Sequence, residues 1–195
     1  MIYISGKVVP WLPAMLTPRM GQRPPEGQPW AADNGRYASP EDYSDASYLA
    51  WLARMPAESC LFATAPDVVG DAAATLAMSG PMLAPIREAG YRVALVAQDG
   101  LDLLEVPWGA FDVLFIGGST AWKLGEAAAS LAGEAVARGV WVHMGRVNSL
   151  RRMRHAQSIG CSSVDGTFLR YGPDQLAPRL AGWLDDLLAA PMVWP

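Results

Sequence analysis

From residue 59 onward, short apolar runs alternate with longer stretches of helical periodicity. Ser59–Ala65 (SCLFATA), Arg92–Ala97 (RVALVA), Asp112–Ile116 (DVLFI), Val140–Met144 (VWVHM) and Gly160–Val164 read as strands, as does Met1–Ile4 at the N-terminus. Each is apolar almost throughout, the pattern of a strand covered on both faces. Between them, Ser44–Met55, with Tyr48, Leu49, Trp51 and Leu52 inward, Ala72–Ala89, Glu126–Arg138, Ser149–Ser158 and Pro178–Leu188 carry helical spacing. An interruption is expected in the second of these helices near Gly80 and Pro81. Repeated βα units imply a parallel sheet in an α/β fold. The six or seven strands predict a compact TIM-type (β/α) barrel, complete or incomplete, with a doubly wound parallel sheet as the alternative.

Residues 10–45 break this rhythm. Pro10, Pro13, Pro18, Pro24, Pro25, Pro29 and Pro40 lie among glycines and polar residues. Proline fixes φ and removes a donor, so the segment reads as a Pro/Gly-rich loop. Loops of that length in a compact domain serve as lids or are disordered. Trp11, Trp30 and Tyr37 would help this one pack, which favours a lid on a single domain over 1–195.

Composition narrows the class. The chain has 195 residues, 51% apolar and 17% charged, enough for one domain with a substantial core. No apolar run reaches the 18 or so residues of a membrane helix. The opening MIYISGKVV lacks the charged n-region and apolar stretch of a signal peptide, so a cytoplasmic protein with no membrane partner is expected. Cys60 and Cys161 make neither a zinc-type spacing nor a disulfide framework. The net charge of −4 argues against a broad nucleic-acid-coating surface. Yet Arg146–His155 (RVNSLRRMRH) holds four arginines and no acid, a local stripe suited to gripping a few phosphates.

Polar residues with chemical capacity follow the strands: Asp67 and Asp71, Gln98 and Asp99, Gly117 and Gly118, Gly145 and Arg146, and Asp165. In parallel α/β folds sites form at the C-terminal strand ends. Singly, each has a plain structural reading: Asp67 as a helix cap, Gly117-Gly118 and Asp165-Gly166 as turns. His143 reads as a strand-buried histidine and His155 as part of the basic helix. GxSxG, HExxH, Walker A and GxGxxG motifs are absent from the sequence.

In order, AADNGRY (Asp33), APDVVGD (Asp67), VAQDG (Gln98), FIGGS (Gly117, Gly118), HMGRVNS (Gly145) and SVDGT (Asp165) resemble motifs of the tRNA-guanine transglycosylase, or queuine tRNA-ribosyltransferase, superfamily. The likeness is greatest to its phage and bacterial DNA-modifying deazapurine relatives and spans Trp30–Leu169. It implies a TIM barrel that exchanges guanine for a 7-deazaguanine through an aspartyl-glycosyl intermediate. The implied roles are Asp165 as nucleophile, Asp33 near the reacting base, and Asp67 and Gln98 on the purine edge. Gly117, Gly118 and Gly145 would lie against the base. The family's C-x-C-x-x-C plus histidine zinc set and its Pro-Thr-Arg after the nucleophile are absent from this sequence, so neither a cofactor nor a metal is expected. DNA is expected as partner more than tRNA, with a free purine or 7-deazapurine base as co-substrate. The setting would be host cytoplasm if the chain is phage-encoded, and a homodimer stays open.

The residues suit that chemistry on physical grounds as well. Breaking an N-glycosidic bond gives the sugar oxocarbenium character, which a carboxylate beneath C1′ stabilises or captures. Asp and Gln read a purine edge in a dry pocket, and the base must leave its stack to arrive, so Arg146, Arg151, Arg152 and Arg154 would hold the flanking phosphates. Two alternatives are a DNA glycosylase that hydrolyses the bond and a non-catalytic nucleic-acid-binding barrel.

Overall fold

The computed structural model describes residues 1–189. Eight strands form a closed parallel barrel in chain order: β1 (Ile2–Ser5), β2 (Ala14–Leu16), β3 (Trp30–Ala32), β4 (Cys60–Thr64), β5 (Val93–Ala97), β6 (Val113–Ile116), β7 (Trp141–Met144) and β8 (Ser163–Gly166). Closure comes from β1 against β8, with Ile2 opposite Ser163 and Ser5 opposite Gly166. A doubly wound sheet has open edges, so the TIM-type reading holds and the barrel is complete.

The helices α1 (Asp45–Leu52), α2 (Ala72–Glu88), α3 (Thr120–Lys123), α4 (Glu126–Ala137), α5 (Leu150–Ser158) and α6 (Pro173–Ala189) supply the other layer. Among the described residues, no helix is long and apolar enough to cross a membrane. Inside the barrel, Ile4, Met15, Ala31, Phe62, Ala94 and Val113 pack together. A larger cluster fills the space between strands and helices, where Trp30 meets Trp51 edge-on at 5.8 Å.

Five expectations need correction. Residues 10–45 are not a continuous loop, since β2 and β3 lie within them and all six of their residues are buried. The prolines do not forbid these strands because they flank them. Pro13 and Pro29 lack only the donor, and their carbonyls accept from Ser5 at 2.8 Å and Ala14 at 3.4 Å. Of the three aromatics expected to pack the segment, Trp30 is buried, but Trp11 and Tyr37 are 48% and 73% exposed.

The helix α2 runs unbroken through Gly80, Pro81 and Pro85. Pro81 sits on its solvent side, so the carbonyl left by the missing N–H is open to solvent rather than buried. Thr75, Ser79, Met82, Leu83 and Ile86 anchor the buried face. The strand β8 begins later and ends later than expected, so Asp165 lies within it. The last helix begins at Pro173, five residues before the expected start, with Pro173 at the first position, where its missing N–H costs nothing.

Candidate active site

Parallel closure sends every strand's C-terminal end to one rim, and a cavity of about 200 Å³ opens there. Asp33, Asp67, Gln98, Gly117, Gly145, Arg146 and Asp165 all line it. Seven residues singled out in the sequence, spread from position 33 to 165, therefore meet in one place. Asn34, Tyr37, Thr64, Val69, Val96 and Phe115 complete the wall.

Asp33 follows β3, and its Oδ1 accepts the Gly35 N–H at 2.7 Å. Burial pushes its carboxyl up to about 6; the Gly35 bond opposes the shift, while Asp67 and Asp165 add to it. Asn34, next in the chain, is the clamp of this loop. Its side-chain amide donates to Thr64 Oγ1 at 3.1 Å, the Ala65 carbonyl at 3.0 Å and Asp67 Oδ1 at 3.3 Å.

Asp67 is raised from its ordinary value by burial, against donation from Asn34 and Gln98 and the charges of Arg36 and Arg146. Gln98 donates to Asp67 Oδ2 at 2.6 Å. Its Oε1 accepts the N–H groups of Gly70 and Gly118, both at 2.9 Å. This buried amide is thus committed to the protein, and Gln98 braces Asp67 and two loops.

The glycines answer to close packing. A Cβ on Gly117 would stand 2.8 Å from Val96 and 3.1 Å from the Gln98 amide. Gly118 has φ +71° and does not line the cavity; its carbonyl accepts from Arg146 instead. A Cβ on Gly145 would stand 2.6 Å from the Phe115 ring and 3.2 Å from Asp165 Oδ1. Asp99 turns away to Ser119, whose hydroxyl and N–H reach it at 2.5 and 2.7 Å. Desolvation raises its carboxyl, but those bonds together with the Arg146 charge outweigh that and hold it below the usual carboxylate range. Asp71 caps α2 by accepting from the Ala74 N–H at 2.9 Å.

Only Arg146 of the arginine stripe lines the cavity. It occupies a left-handed backbone conformation, φ +58°, unusual for a residue with a side chain. Arg152 donates to its carbonyl at 3.3 Å. Arg151 is exposed, and Arg154 pairs with Asp186 of α6 at 3.7 Å.

Two residues have more part in the site than their sequence context signals. Lys123 on α3 is fully buried and donates to the Gly145 carbonyl at 2.7 Å. Burial brings its ammonium down to about 8, helped by Arg146 and Arg152 and opposed by Asp165. His143 is buried as expected, but its Nε2 lies 3.1 Å from Asp165 Oδ1. Among the described residues, no group of three or more His, Cys, Asp or Glu side chains is placed to hold a metal ion.

No family model matches the sequence, and no curated protein matches it. Among solved structures, the chain is similar to BlrP1 of Klebsiella pneumoniae, solved as a complex with calcium and cyclic di-GMP. The two share 15% identity at a TM-score of 0.42. The match covers 72% of this chain and 38% of that one.

Proposed function

We propose that the protein exchanges a guanine base in DNA for a 7-deazaguanine base through an ester between Asp165 and the sugar. The observation that carries this reading is the convergence of Asp33, Asp67 and Asp165 on one cavity with the scale of a single nucleobase. One carboxylate near the sugar, one on the base edge and one able to carry a proton are what base exchange requires.

In this scheme an Asp165 carboxylate oxygen attacks C1′, and the C1′–N9 bond breaks with its electron pair going to the purine. Asp33, whose carboxyl sits near 6, gives that purine a proton. The incoming base returns a proton to Asp33 from its own N9. The freed pair then displaces Asp165 from C1′, and both aspartates regain their starting states. Asp67 accepts from the N–H groups of the purine edge, and Gln98 and Asn34 hold its carboxylate in place.

Nucleoside mass spectrometry tests this directly. Duplex or single-stranded DNA is incubated with the protein and a labelled guanine or deazaguanine base. Label should enter the DNA, and a protein–DNA adduct should survive on a denaturing gel. Asp165→Asn should cut turnover by about 10³-fold or more and abolish the adduct, with DNA binding retained. Release of free base without incorporation would make the protein a glycosylase; binding with neither would make it a non-catalytic barrel.

A further inference from the structure

The barrel interior contains a polar chain that the exchange scheme does not use. Trp141, His143 and Ser163 lie in the apolar barrel interior, against residues that include Phe62 and Phe115. His143 and Ser163 have no solvent exposure. The imidazole packs against two rings that also touch each other, 4.9 Å from Phe62 and 4.5 Å from Phe115 by centroid. A buried polar group in such a layer is costly unless all its bonds are made. Here they are made in one line. Trp141 Nε1 meets Ser163 Oγ at 2.8 Å, Ser163 Oγ meets His143 Nδ1 at 2.8 Å, and His143 Nε2 meets Asp165 Oδ1 at 3.1 Å.

Donor arithmetic gives the line a direction. An indole N–H can only donate, so Ser163 Oγ accepts from Trp141. The Ser163 hydroxyl proton then points at His143 Nδ1. With Nδ1 accepting, the ring proton sits on Nε2 and is given to Asp165 Oδ1. The opposite neutral tautomer would aim a bare Nε2 lone pair at a carboxylate 3.1 Å away. An imidazolium would leave the Ser163 hydroxyl proton without an acceptor among these contacts.

We propose that Trp141, Ser163 and His143 form a one-way hydrogen-bond relay that positions Asp165, tying down Oδ1 and leaving Oδ2 as the oxygen that attacks the sugar. Among the described residues, Oδ2 receives only a long contact of 3.5 Å from the Arg146 N–H. The attacking role rests on the base-exchange reading, whereas the relay itself does not. His143 and Ser163 touch no substrate; they act through Asp165.

The test has two arms. The first is ¹⁵N NMR of the histidine rings in the intact protein, which has two histidines, with His143→Phe assigning the signals. The relay requires the Nε2–H tautomer at His143, a shift of its Nε2 in Asp165→Asn, and loss of the fixed tautomer in Ser163→Ala. An Nδ1–H tautomer in the wild type overturns the relay whatever the activity. The second arm is kinetic. His143→Phe keeps bulk but gives no donor and should lower kcat for exchange by about 10²-fold with KM for the free base little changed. His143→Gln, which can present an N–H near the Nε2 position, should recover most of that loss. Equal kcat in wild type and His143→Phe would overturn the positioning role. A wild type that neither exchanges nor releases bases would instead remove the base-exchange reading, with the NMR arm still deciding the relay.

Discussion

Charge at single residues decides what this cavity can do, and Asp33 illustrates the cost. In the unfolded chain its carboxyl titrates near 3.8; in the fold, burial lifts that to about 6. Between those values the folded protein holds more protons at Asp33 than the unfolded chain does, so this group lowers stability as pH rises through that window. Asp33→Asn keeps an acceptor for the Gly35 N–H and removes the charge. It should therefore raise stability by about 2 kcal/mol at pH 7, an advantage that fades as pH falls from about 6 toward 3.8 and is gone below that. Urea unfolding of both proteins between pH 3 and 7 measures it, and exchange activity should fall in the same variant. A variant no more stable at neutral pH would mean that Asp33 is solvated in the fold. Gly145 is the steric counterpart. In Gly145→Ala the new methyl would enter the space of the Phe115 ring and crowd Asp165. Overpacking should cost about 1–3 kcal/mol, and displacement of Asp165 should lower kcat well beyond what partial unfolding explains. Thermal melts beside single-turnover rates separate the two effects.

At the scale of elements, the rim is a set of βα loops joined by side chains, and Gln98 is its main tie. From the end of β5 it reaches the loop after β4 through Gly70 and Asp67, and the loop after β6 through Gly118. Gln98→Glu keeps the shape but sets a carboxylate against Asp67 where a donor now stands 2.6 Å away. Stability should fall by about 2–4 kcal/mol at neutral pH. The deficit should shrink in acid, because the repulsion raises the folded-state titration of the pair and protonation relieves it. Denaturant titrations at pH 4 and pH 7 check this. The same elements mark what could be read from the chain. The strands β4 to β7 were legible because strands covered on both faces are written as nearly unbroken apolar runs, whereas β8 (SVDG) carries no such run and its bounds were misplaced. By contrast, β2 and β3 were hidden, since three buried residues directly after a proline carry no period of their own. Their pairing with β1 and β4 defines them. The candidate aspartates were legible because strand ends are punctuated by Pro, Gly and Asp. The contact of His143 with Asp165 was not, because it depends on β7 and β8 lying side by side in register, with His143 opposite Ser163.

The whole molecule sets a further condition, since a net charge of −4 gives the protein no general attraction for DNA. Any grip must be local to the rim, and barrel closure puts the start of α5 there, directly after Arg146. Arg151 and Arg152 lie in the first turn of α5, where cations oppose the helix dipole. That placement gains most when an anion bridges the guanidinium groups and the helix N-terminus, as a backbone phosphate would. A base cannot enter a cavity of about 200 Å³ while stacked in a duplex, so a hold on the flanking phosphates would help pay for its extrusion. Reversing both charges, Arg151→Glu with Arg152→Glu, should weaken DNA binding at low salt by about tenfold or more. Each lost phosphate contact should also flatten the plot of log affinity against log salt by about 0.9 for duplex. The loss should be the same for sequences of different base composition, because phosphates carry no sequence. Arg154 provides the internal comparison. It is spent on Asp186 at the barrel flank, so Arg154→Ala should leave the slope nearly unchanged. Fluorescence anisotropy across a salt series measures all three proteins. An unchanged slope in the double variant would reduce the first turn of α5 to a solvated face and leave Arg146, alone at the cavity, to meet the nucleic acid.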